Sequence, residues 1–169
     1  MLQDRGYKVE YSDPSLTPAI KAVDCKGDAL FVILAEEPKL GVRTLRKMKE
    51  DSINGNAKHL IVICPLGLTH FAQKENLIDD SSGFVTEIFK KSELGFNVTR
   101  HELVPKYTLL TSVQKKNLLT TLRCTHSQLP KIREHDPVAR YYRFTRGSVL
   151  KIERAIGTLE SNIYYRIVA

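Results

Sequence analysis

The sequence predicts a small α/β unit followed by a compact α+β unit in a chain of 169 residues. In residues 1–98, two continuous apolar runs typical of buried strands, at 30–34 and 60–63, alternate with helical patterns. That alternation indicates an α/β unit with a mostly parallel or mixed sheet. In residues 99–169, helices come first and two alternating strands follow, which indicates an α+β unit.

The charge of the chain changes where the predicted units meet. Residues 1–98 contain 13 Lys and Arg against 14 Asp and Glu, whereas residues 99–169 contain 13 against 5. This asymmetry supports two units and indicates that the second faces nucleic acid or an acidic protein surface. A soluble basic face without a partner is the alternative.

Apolar spacing and turn residues predict the elements of the first unit. Helical spacing of Val42, Leu45 and Met48 predicts a helix over 42–53, and another helix follows at 69–77. Residues 84–91 are predicted to form a short amphipathic helix, and residues 95–99 a last strand. A helix end is predicted at 2–5, closed by Gly6, and a strand at 7–11. Asp13, Pro14 and Pro18 break that strand, residues 19–24 alternate weakly, and a turn is predicted at 26–28. Because one helical turn is unstable by itself, most of a first helix is expected to be missing, through truncation or real loss.

The helices of the second unit have start signals in the sequence. Thr111 and Gln114 form a capping box, which predicts a helix that runs to about Leu122. Asp136-Pro137 predicts the start of a shorter helix, since Asp caps free N–H groups and Pro fits the first turn. The predicted apolar positions are Leu118, Leu119 and Leu122 on the first helix and Val138, Tyr141 and Tyr142 on the second, from which Arg140 points away.

Strands are predicted at 148–154 and 163–168, after a turn at Gly147. Alternation puts neighbouring side chains of a strand on opposite sides of the sheet. We therefore expect Leu150 and Ile152 to face away from Lys151 and Glu153. By the same pattern Ile163, Tyr165 and Ile167 face inward, while Tyr164 and Arg166 face outward.

Several classes of protein are disfavoured by composition. No apolar run approaches the ~20 residues that span a membrane, and the first residues lack the apolar stretch of a secretory signal. Cys25, Cys64 and Cys124 are odd in number and far apart, which favours free thiols in the cytosol or nucleus.

Three arrangements that could support metal chemistry are weak. Asp28, Glu37 and Lys39 imitate the pattern of a metal-dependent nuclease, but Pro38 interrupts the strand on which such residues would sit. His101-Glu102 opens like a zinc-protease helix, and Pro105 stands where the second His would be needed. The third set, Cys124, His126 and His135, lacks a fourth zinc ligand. We therefore expect neither a metal nor another cofactor, and no catalytic residue.

The chain resembles the fifth subunit shared by eukaryotic nuclear RNA polymerases I, II and III, whose C-terminal part corresponds to a small separate subunit of the archaeal enzyme. Two blocks in register carry the resemblance, His101-Glu-Leu-Val-Pro105 and Asp136-Pro-Val-Ala-Arg-Tyr141. Further matches in the second half are Ser127-Gln-Leu-Pro130 with Ile132, Arg146-Gly147, Lys151-Ile152 and Tyr165-Arg166. Those in the first half are Asp4-Arg-Gly-Tyr7, Glu36-Glu-Pro-Lys39 with Gly41, Leu60-Ile-Val62 and Glu93-Leu94. The resemblance covers nearly the whole chain.

The resemblance implies a non-catalytic polymerase subunit that is a monomer within a hetero-oligomer. Residues 1–98 would be a jaw module beside the downstream double-stranded DNA, and residues 99–169 an assembly module that docks on the largest subunit. The DNA-proximal residues would be Arg43, Thr69, His70, Phe71, Ala72 and Lys74. The docking residues would be His101, Glu102, Pro105, Gln128, Pro130, Asp136, Pro137, Arg140, Tyr141, Arg146, Gly147, Tyr165 and Arg166.

The chain departs from the family pattern in two loops. His70 replaces a Pro of the jaw loop, and Arg154-Ala-Ile-Gly-Thr158 replaces Arg-Pro-Ser-Glu-Thr. A divergent paralogue, a fast-evolving lineage or a viral copy would each fit, so the expected location is the nucleus, or a cytoplasmic viral factory for a viral copy. Two other functions stay open, a free-standing basic nucleic-acid-binding module and the metal-dependent nuclease.

Overall fold

The computed structural model describes residues 1–11, 20–24, 27–78, 83–156 and 160–169. These residues form two compact units, Met1–Phe96 and Asn97–Ala169, and each contains a mixed β-sheet with helices. No helix in the described ranges is long and apolar enough to cross a membrane. The predictions for Asp13, Pro14, Pro18, Cys25, Lys26 and positions 157–158 lie outside these ranges.

The first unit is built on a five-stranded mixed sheet with the order β1-β2-β3-β4-β5. Strands β1, β2 and β3 pair antiparallel, whereas β3, β4 and β5 pair parallel through connections that contain the helices. The elements are β1 (Lys8–Tyr11), β2 (Ile20–Val23), β3 (Ala29–Leu34), α1 (Val42–Asn54), β4 (Ala57–Cys64), α2 (His70–Ile78) and β5 (Val85–Lys90). The predicted mixed sheet and the predicted α1 are confirmed.

Both faces of this sheet are covered in its centre, which explains the continuous apolar runs of β3 and β4. One face packs on α1 and α2 through Phe31, Ile33, Leu45, Leu60, Val62 and Ala72. The other face contains Leu30, Val32, Ile61 and Phe89, and Met1 and Leu2 of the N-terminal segment pack against it. A 3-10 turn at Gln3–Arg5 ends at Gly6, as predicted.

Two predictions for the end of the first unit are wrong. Residues 84–91 do not form a helix, because Val85–Lys90 pairs parallel with β4 as strand β5. Phe84 and Ile88 pack on one face of the sheet and Phe89 on the other, so the apolar spacing imitates a helix. Residues 95–99 do not form a strand, since Asn97 accepts hydrogen bonds from the Thr99 amide and hydroxyl groups, at 3.0 and 2.7 Å, and starts a 3-10 turn.

The second unit contains a four-stranded mixed sheet with the order β6-β8-β9-β7. Its elements are β6 (Lys106–Leu109), α3 (Ser112–Leu122), β7 (Lys131–Ile132), α4 (Pro137–Tyr142), β8 (Val149–Ile156) and β9 (Glu160–Val168). β8 pairs antiparallel with β6 and β9, while β7 pairs parallel with β9. The predicted start of α3 is confirmed, because Thr111 accepts from the Gln114 amide and donates its own amide to Oε1 of Gln114.

Each face of the second sheet carries its own apolar cluster. Ile132, Leu150, Ile152 and Val168 lie on one face with Phe144 and Tyr107. Leu129, Val149 and Ile167 lie on the other with Leu118 and Leu119 of α3. Leu150 and Ile152 therefore do face away from Lys151 and Glu153, as predicted.

Two inward positions predicted for this unit are wrong. Leu122 is 49% exposed because it lies in the last turn of α3. Ile163 is 48% exposed because only the other end of β9, at Ile167, packs against the Leu118–Leu119 side of α3 in the described structure.

Candidate partner-binding surfaces

Helix α4 is held at both ends by its own sequence. Oδ1 of Asp136 accepts hydrogen bonds from the amides of Val138 and Ala139, at 3.0 and 3.4 Å, and Pro137 occupies the first helical position. Arg143 ends the helix with a φ of 56°. The predicted start of this helix is therefore confirmed.

The turn that follows α4 is fixed by Gly147. Its φ is 82°, a conformation that glycine adopts without strain. Its carbonyl oxygen accepts hydrogen bonds from Nζ of Lys115 at 3.0 Å and, in the appropriate tautomer, from Nε2 of His126 at 3.3 Å. Gly147 therefore joins α3, the 126–128 turn and the start of β8.

A groove of about 410 Å³ lies along the face of the second sheet that α4 flanks. Its floor is formed by buried Ile132 and Ile152, and its rim carries exposed cationic and aromatic side chains. The lining residues are Pro105, Tyr107, Ile132, Asp136, Ile152, Arg154, Tyr164 and Arg166, and we call this site the Arg154–Arg166 groove.

The register of the strands brings these residues together. Ile152 pairs with both Tyr107 of β6 and Tyr164 of β9, so the three side chains share one face. Arg154 and Arg166 lie two positions from that central row, on opposite sides of it. The groove thus has an apolar and aromatic centre with a cation toward each end.

The pKa of Tyr107 is shifted by burial and by the charged side chains of the groove. Burial raises the pKa of its hydroxyl, the Asp136 carboxylate raises it further, and the Arg166 and Arg154 guanidinium groups lower it. The phenol therefore stays protonated at neutral pH and can donate a hydrogen bond to a bound acceptor.

The predicted docking residues do not form one continuous surface. Pro105, Asp136 and Arg166 line the groove. Tyr141 is buried, and Arg140 is half-buried and interacts within the chain. Tyr165 lies on the sheet face opposite Arg166, and Gly147 has the structural role just described. The exposed residues are His101, Glu102, Gln128, Pro130, Pro137 and Arg146, of which His101 and Gln128 accept hydrogen bonds from the nearby amides of Leu103 and Thr125.

Sequence reasoning did not select five of the groove residues: Tyr107, Ile132, Ile152, Arg154 and Tyr164. The alternation of β8 and β9 correctly assigns each strand two faces. It does not give the register, however, and only the register puts Ile152 and Tyr164 on the same side.

A second candidate surface lies at the carboxyl ends of β3 and β4 in the first unit. The Leu40 amide donates to the Gly67 carbonyl at 3.0 Å, and the Thr69 amide to the Leu40 carbonyl at 3.1 Å. These bonds place the N-termini of α1 and α2 beside each other. Ligands of open α/β sheets often bind at this edge, where helix N-termini also favour anions.

The predicted DNA-proximal residues divide between this edge and the core. Arg43, His70, Phe71 and Lys74 are exposed, Phe71 by 74%. Ala72 is fully buried against the sheet, and its amide donates to the half-buried hydroxyl of Thr69 at 3.5 Å. The side chain of Ala72 thus lies in the core, while the exposed four form a mixed cationic and aromatic surface.

A buried ionic cluster links the N-terminal segment to this sheet. Arg5 binds both carboxylate oxygens of Glu87, at 3.0 and 2.8 Å, and Nε2 of His59 lies 2.9 Å from Oε1 of Glu87. Burial alone would raise the pKa of Glu87, but hydrogen bonds from His59 and Arg5 lower it to about 2. Sequence reasoning missed this cluster, since its members are up to 82 positions apart.

The residues of the nuclease pattern have other partners. Asp28 lies 2.6 Å from Nζ of Lys58, and Glu37 accepts a hydrogen bond from the Thr44 hydroxyl at 3.1 Å. The two carboxylates flank opposite ends of β3, about 20 Å apart along a six-residue strand, so they cannot bind one metal ion. Within the described ranges, no three His, Cys, Asp or Glu side chains are grouped to hold a metal.

Two residues of the third metal pattern serve packing and local bonding, and the third, His135, is exposed. Cys124 packs in the apolar cluster beneath α3, and His126 lies against the Gly147 carbonyl. Cys64 and Cys124 are free thiols, and burial raises the pKa of Cys64.

Known proteins identify the family of this chain. Residues 96–168 match the family model of the RNA polymerase Rpb5 C-terminal domain. The chain is 37% identical over 180 residues to the DNA-directed RNA polymerases I, II, and III subunit rpabc1 of Dictyostelium discoideum, an alignment that covers 99% of this chain and 91% of the relative.

The chain belongs to this family of RNA polymerase subunits. The corresponding subunit RPABC1 of Caenorhabditis elegans is 34% identical over 191 residues, which cover 99% of this chain and 90% of the relative. DNA-directed RNA polymerase subunit 5-like protein 1 of Arabidopsis thaliana is 34% identical over 193 residues, and the alignment covers 98% of this chain and 89% of the relative. The family is non-catalytic, because the polymerase active site lies on other subunits, and the predicted resemblance is confirmed.

Proposed function

We propose that this protein docks on the largest subunit of a nuclear DNA-directed RNA polymerase and shapes the cleft through which downstream DNA enters. Residues 1–98 act as the jaw module and residues 99–169 as the assembly module. The protein is a single copy in a hetero-oligomer and contributes no catalytic group. The observation that carries this proposal is the similarity of nearly the whole chain to subunits shared by polymerases I, II and III.

The second unit has the properties of a docking module. Its 13 Lys and Arg outnumber 5 Asp and Glu, so it complements an acidic protein surface. Helix α4 is capped at both ends and the turn at Gly147 is hydrogen-bonded to α3, and a surface that is ordered in this way before binding loses less entropy when it binds.

The first unit supports a weak, guiding contact with DNA. Its charge is close to neutral, so it lacks the broad basic surface that grips nucleic acid strongly. Arg43, His70 and Lys74 instead offer a few cationic or hydrogen-bonding groups beside two helix N-termini, where phosphate oxygens are favoured.

Affinity purification of the tagged full chain from its own cells tests the proposal. We expect the largest polymerase subunit and other polymerase subunits to be recovered at physiological salt. Recovery of the tagged chain without polymerase subunits would refute the proposed function.

A free-standing nucleic-acid-binding module is the second candidate, and the net charge of +8 in residues 99–169 favours it. Such a module would bind duplex DNA or RNA by itself, and its affinity would fall steeply with salt. A gel-shift of the full chain at ~50 mM salt that shows no binding would count against it.

A further inference from the structure

Among the described residues, the two arginines of the Arg154–Arg166 groove make few contacts with their own chain. Arg166 makes one long hydrogen bond, 3.4 Å from Nη1 to the Lys131 carbonyl, and its side chain is exposed. Arg154 is also exposed and has no side-chain hydrogen bond or ion pair within the described part of the chain. Both guanidinium groups can therefore bind a carboxylate without first breaking a strong internal contact.

Two arginines and one carboxylate, that of Asp136, are the charged residues that line the groove in the described part of the chain. Asp136 uses its Oδ1 atom to cap α4, through the amides of Val138 and Ala139. The groove thus retains a cationic excess with an apolar floor of Ile132 and Ile152. A ligand that matches it must combine acidic and apolar groups.

The spacing of the arginines sets the spacing in the ligand. Arg154 pairs with Asn162, and Arg166 pairs with Leu150, so the two Cα positions lie four residues apart along the strands. At about 3.3 Å per residue that is roughly 13 Å, with the Ile152–Tyr164 row halfway between. In an extended peptide, side chains at i, i+2 and i+4 point the same way and span the same length.

We propose that the Arg154–Arg166 groove binds an extended segment of a partner polymerase subunit in which an apolar residue stands between two acidic residues, at i, i+2 and i+4. The acidic side chains bind Arg154 and Arg166, and the apolar side chain packs between Tyr164 and the buried Ile152. The Tyr107 hydroxyl donates to one of the bound oxygens. This inference rests on the proposed function, because the partner is another polymerase subunit.

A protein segment fits this groove better than nucleic acid does. Its volume of about 410 Å³ is near the lower end of the roughly 300–1,000 Å³ typical of ligand pockets, which admits a few side chains and no duplex. The aliphatic floor of Ile132 and Ile152 offers a base no polar partner.

Site-directed photo-crosslinking identifies what lies in the groove. Tyr164, which is 45% exposed, is replaced by p-benzoylphenylalanine in the tagged full chain, and the polymerase is purified and irradiated. We expect mass spectrometry to find a cross-linked peptide of another polymerase subunit with acidic residues on both sides of an apolar one. A cross-link to nucleic acid, to a peptide without acidic residues, or to no partner at all would overturn the inference.

Charge variants test the energetics with a matched control. The double variant Arg154→Glu/Arg166→Glu should recover at least ~10-fold less of the polymerase subunits than the unaltered chain does, since like charges would then face each other. Arg154→Lys/Arg166→Lys should retain an intermediate amount.

Asp136→Asn keeps a good helix cap but removes the negative charge that would repel an acidic ligand. The complex of this variant with polymerase should therefore withstand a higher salt concentration in the wash than the complex of the unaltered chain. Lys116→Glu is the control, because Lys116 is exposed on α3 and its charge changes with the same sign. This control should behave as the unaltered chain.

The outcomes separate this inference from the proposed function. If the unaltered chain recovers no polymerase subunit, the proposed function itself fails. If the unaltered chain and the Arg→Glu double variant recover the polymerase subunits equally, only the groove assignment fails. Far-ultraviolet circular dichroism and gel filtration of each variant confirm that lost binding does not reflect lost folding.

Discussion

The carboxylate of Glu87 makes the stability of the first unit depend on pH. Its pKa is lowered from 4.5 to about 2 in the folded chain, where Arg5 and His59 hydrogen-bond the ionised form. A lowered pKa stabilises the fold above pH 4.5, and that contribution disappears as the pH falls toward 2. The shift corresponds to about 3 kcal/mol, because one pKa unit equals about 1.4 kcal/mol.

We therefore predict that Glu87→Gln lowers the free energy of unfolding by about 3 kcal/mol at pH 7. The difference from the unaltered chain should shrink between pH 4.5 and 2, where Glu87 of the unaltered chain becomes protonated. Urea unfolding followed by circular dichroism at several pH values measures it. Glu50→Gln, on the exposed face of α1, is the control, and an equal loss in both variants would contradict the prediction.

Replacement of Gly147 should destabilise the fold because of its backbone conformation and not because of its contacts. A Cβ atom added there would meet nothing within 4 Å, but its φ of 82° is unfavourable for any L side chain. We predict that Gly147→Ala lowers stability by about 1 kcal/mol. Gly95→Ala, at a φ of −65° and with only ordinary contacts, should be neutral or slightly stabilising in the same thermal unfolding experiment. A loss of the same size at both glycines would show that backbone strain is not the cause.

Among the elements, α3 depends on its capping box. Thr111 and Gln114 satisfy each other's amides at 3.3 and 2.9 Å, and the helix has no other capping side chain at this end in the described residues. We predict that Thr111→Ala lowers stability by about 1 kcal/mol in urea unfolding.

Thr121→Ala is the matched control within the same helix. Thr121 is exposed, and its hydroxyl donates to the Asn117 carbonyl, a bond that competes weakly with helix geometry. Because alanine is the better helix former, this variant should be unchanged or more stable. Destabilisation of Thr121→Ala as large as that of Thr111→Ala would exclude a capping effect.

Elements were predictable from sequence where their signals are local. Pro137 after Asp136, the Thr111–Gln114 pair and the 42, 45, 48 spacing each determine a helix within a few residues. Strand β5 was not predictable in this way, since its burial on both faces depends on partners in β4 and in the N-terminal segment. The same is true of Glu87, which reads as a solvated residue until Arg5 is placed beside it.

The residues of the candidate sites also divide into those that the sequence could predict and those that depend on tertiary structure. Asp136 and Arg166 could be selected by resemblance to a family, and the structure places both in the groove. Arg154 and Tyr164 enter the site only through the pairing of β8 with β9. The register of a strand pair is a tertiary property, and one strand's alternation cannot supply it.

At the scale of the whole molecule, net charge and family resemblance disagree about which unit contacts DNA: the basic excess lies in the second unit, whereas the resemblance implies that DNA lies beside the first. If the first unit guides DNA through Arg43 and Lys74, binding of the full chain to duplex DNA should be weak and moderately salt-dependent. We predict that Arg43→Ala/Lys74→Ala reduces the slope of log K against log salt by roughly 1.8, or about 0.9 for each phosphate that is no longer neutralised. Fluorescence anisotropy across a salt series measures the slope.

Lys106→Ala/Lys116→Ala removes two exposed charges from the second unit and serves as the control. Its slope should equal that of the unaltered chain, because those lysines are assigned to the protein-docking unit. A larger reduction from this pair would instead favour the free-standing nucleic-acid-binding module.

The position of β9 has a consequence for how the second unit is made in the cell. β9 lies between β8 and β7 in the sheet, yet it follows every other strand of the unit in the sequence. A ribosome that adds about 5–20 residues per second needs roughly 1–6 s to pass from the end of β7 to the start of β9. Throughout that interval β7 lacks the strand with which it pairs, and its open edge is available to chaperones or to other nascent chains.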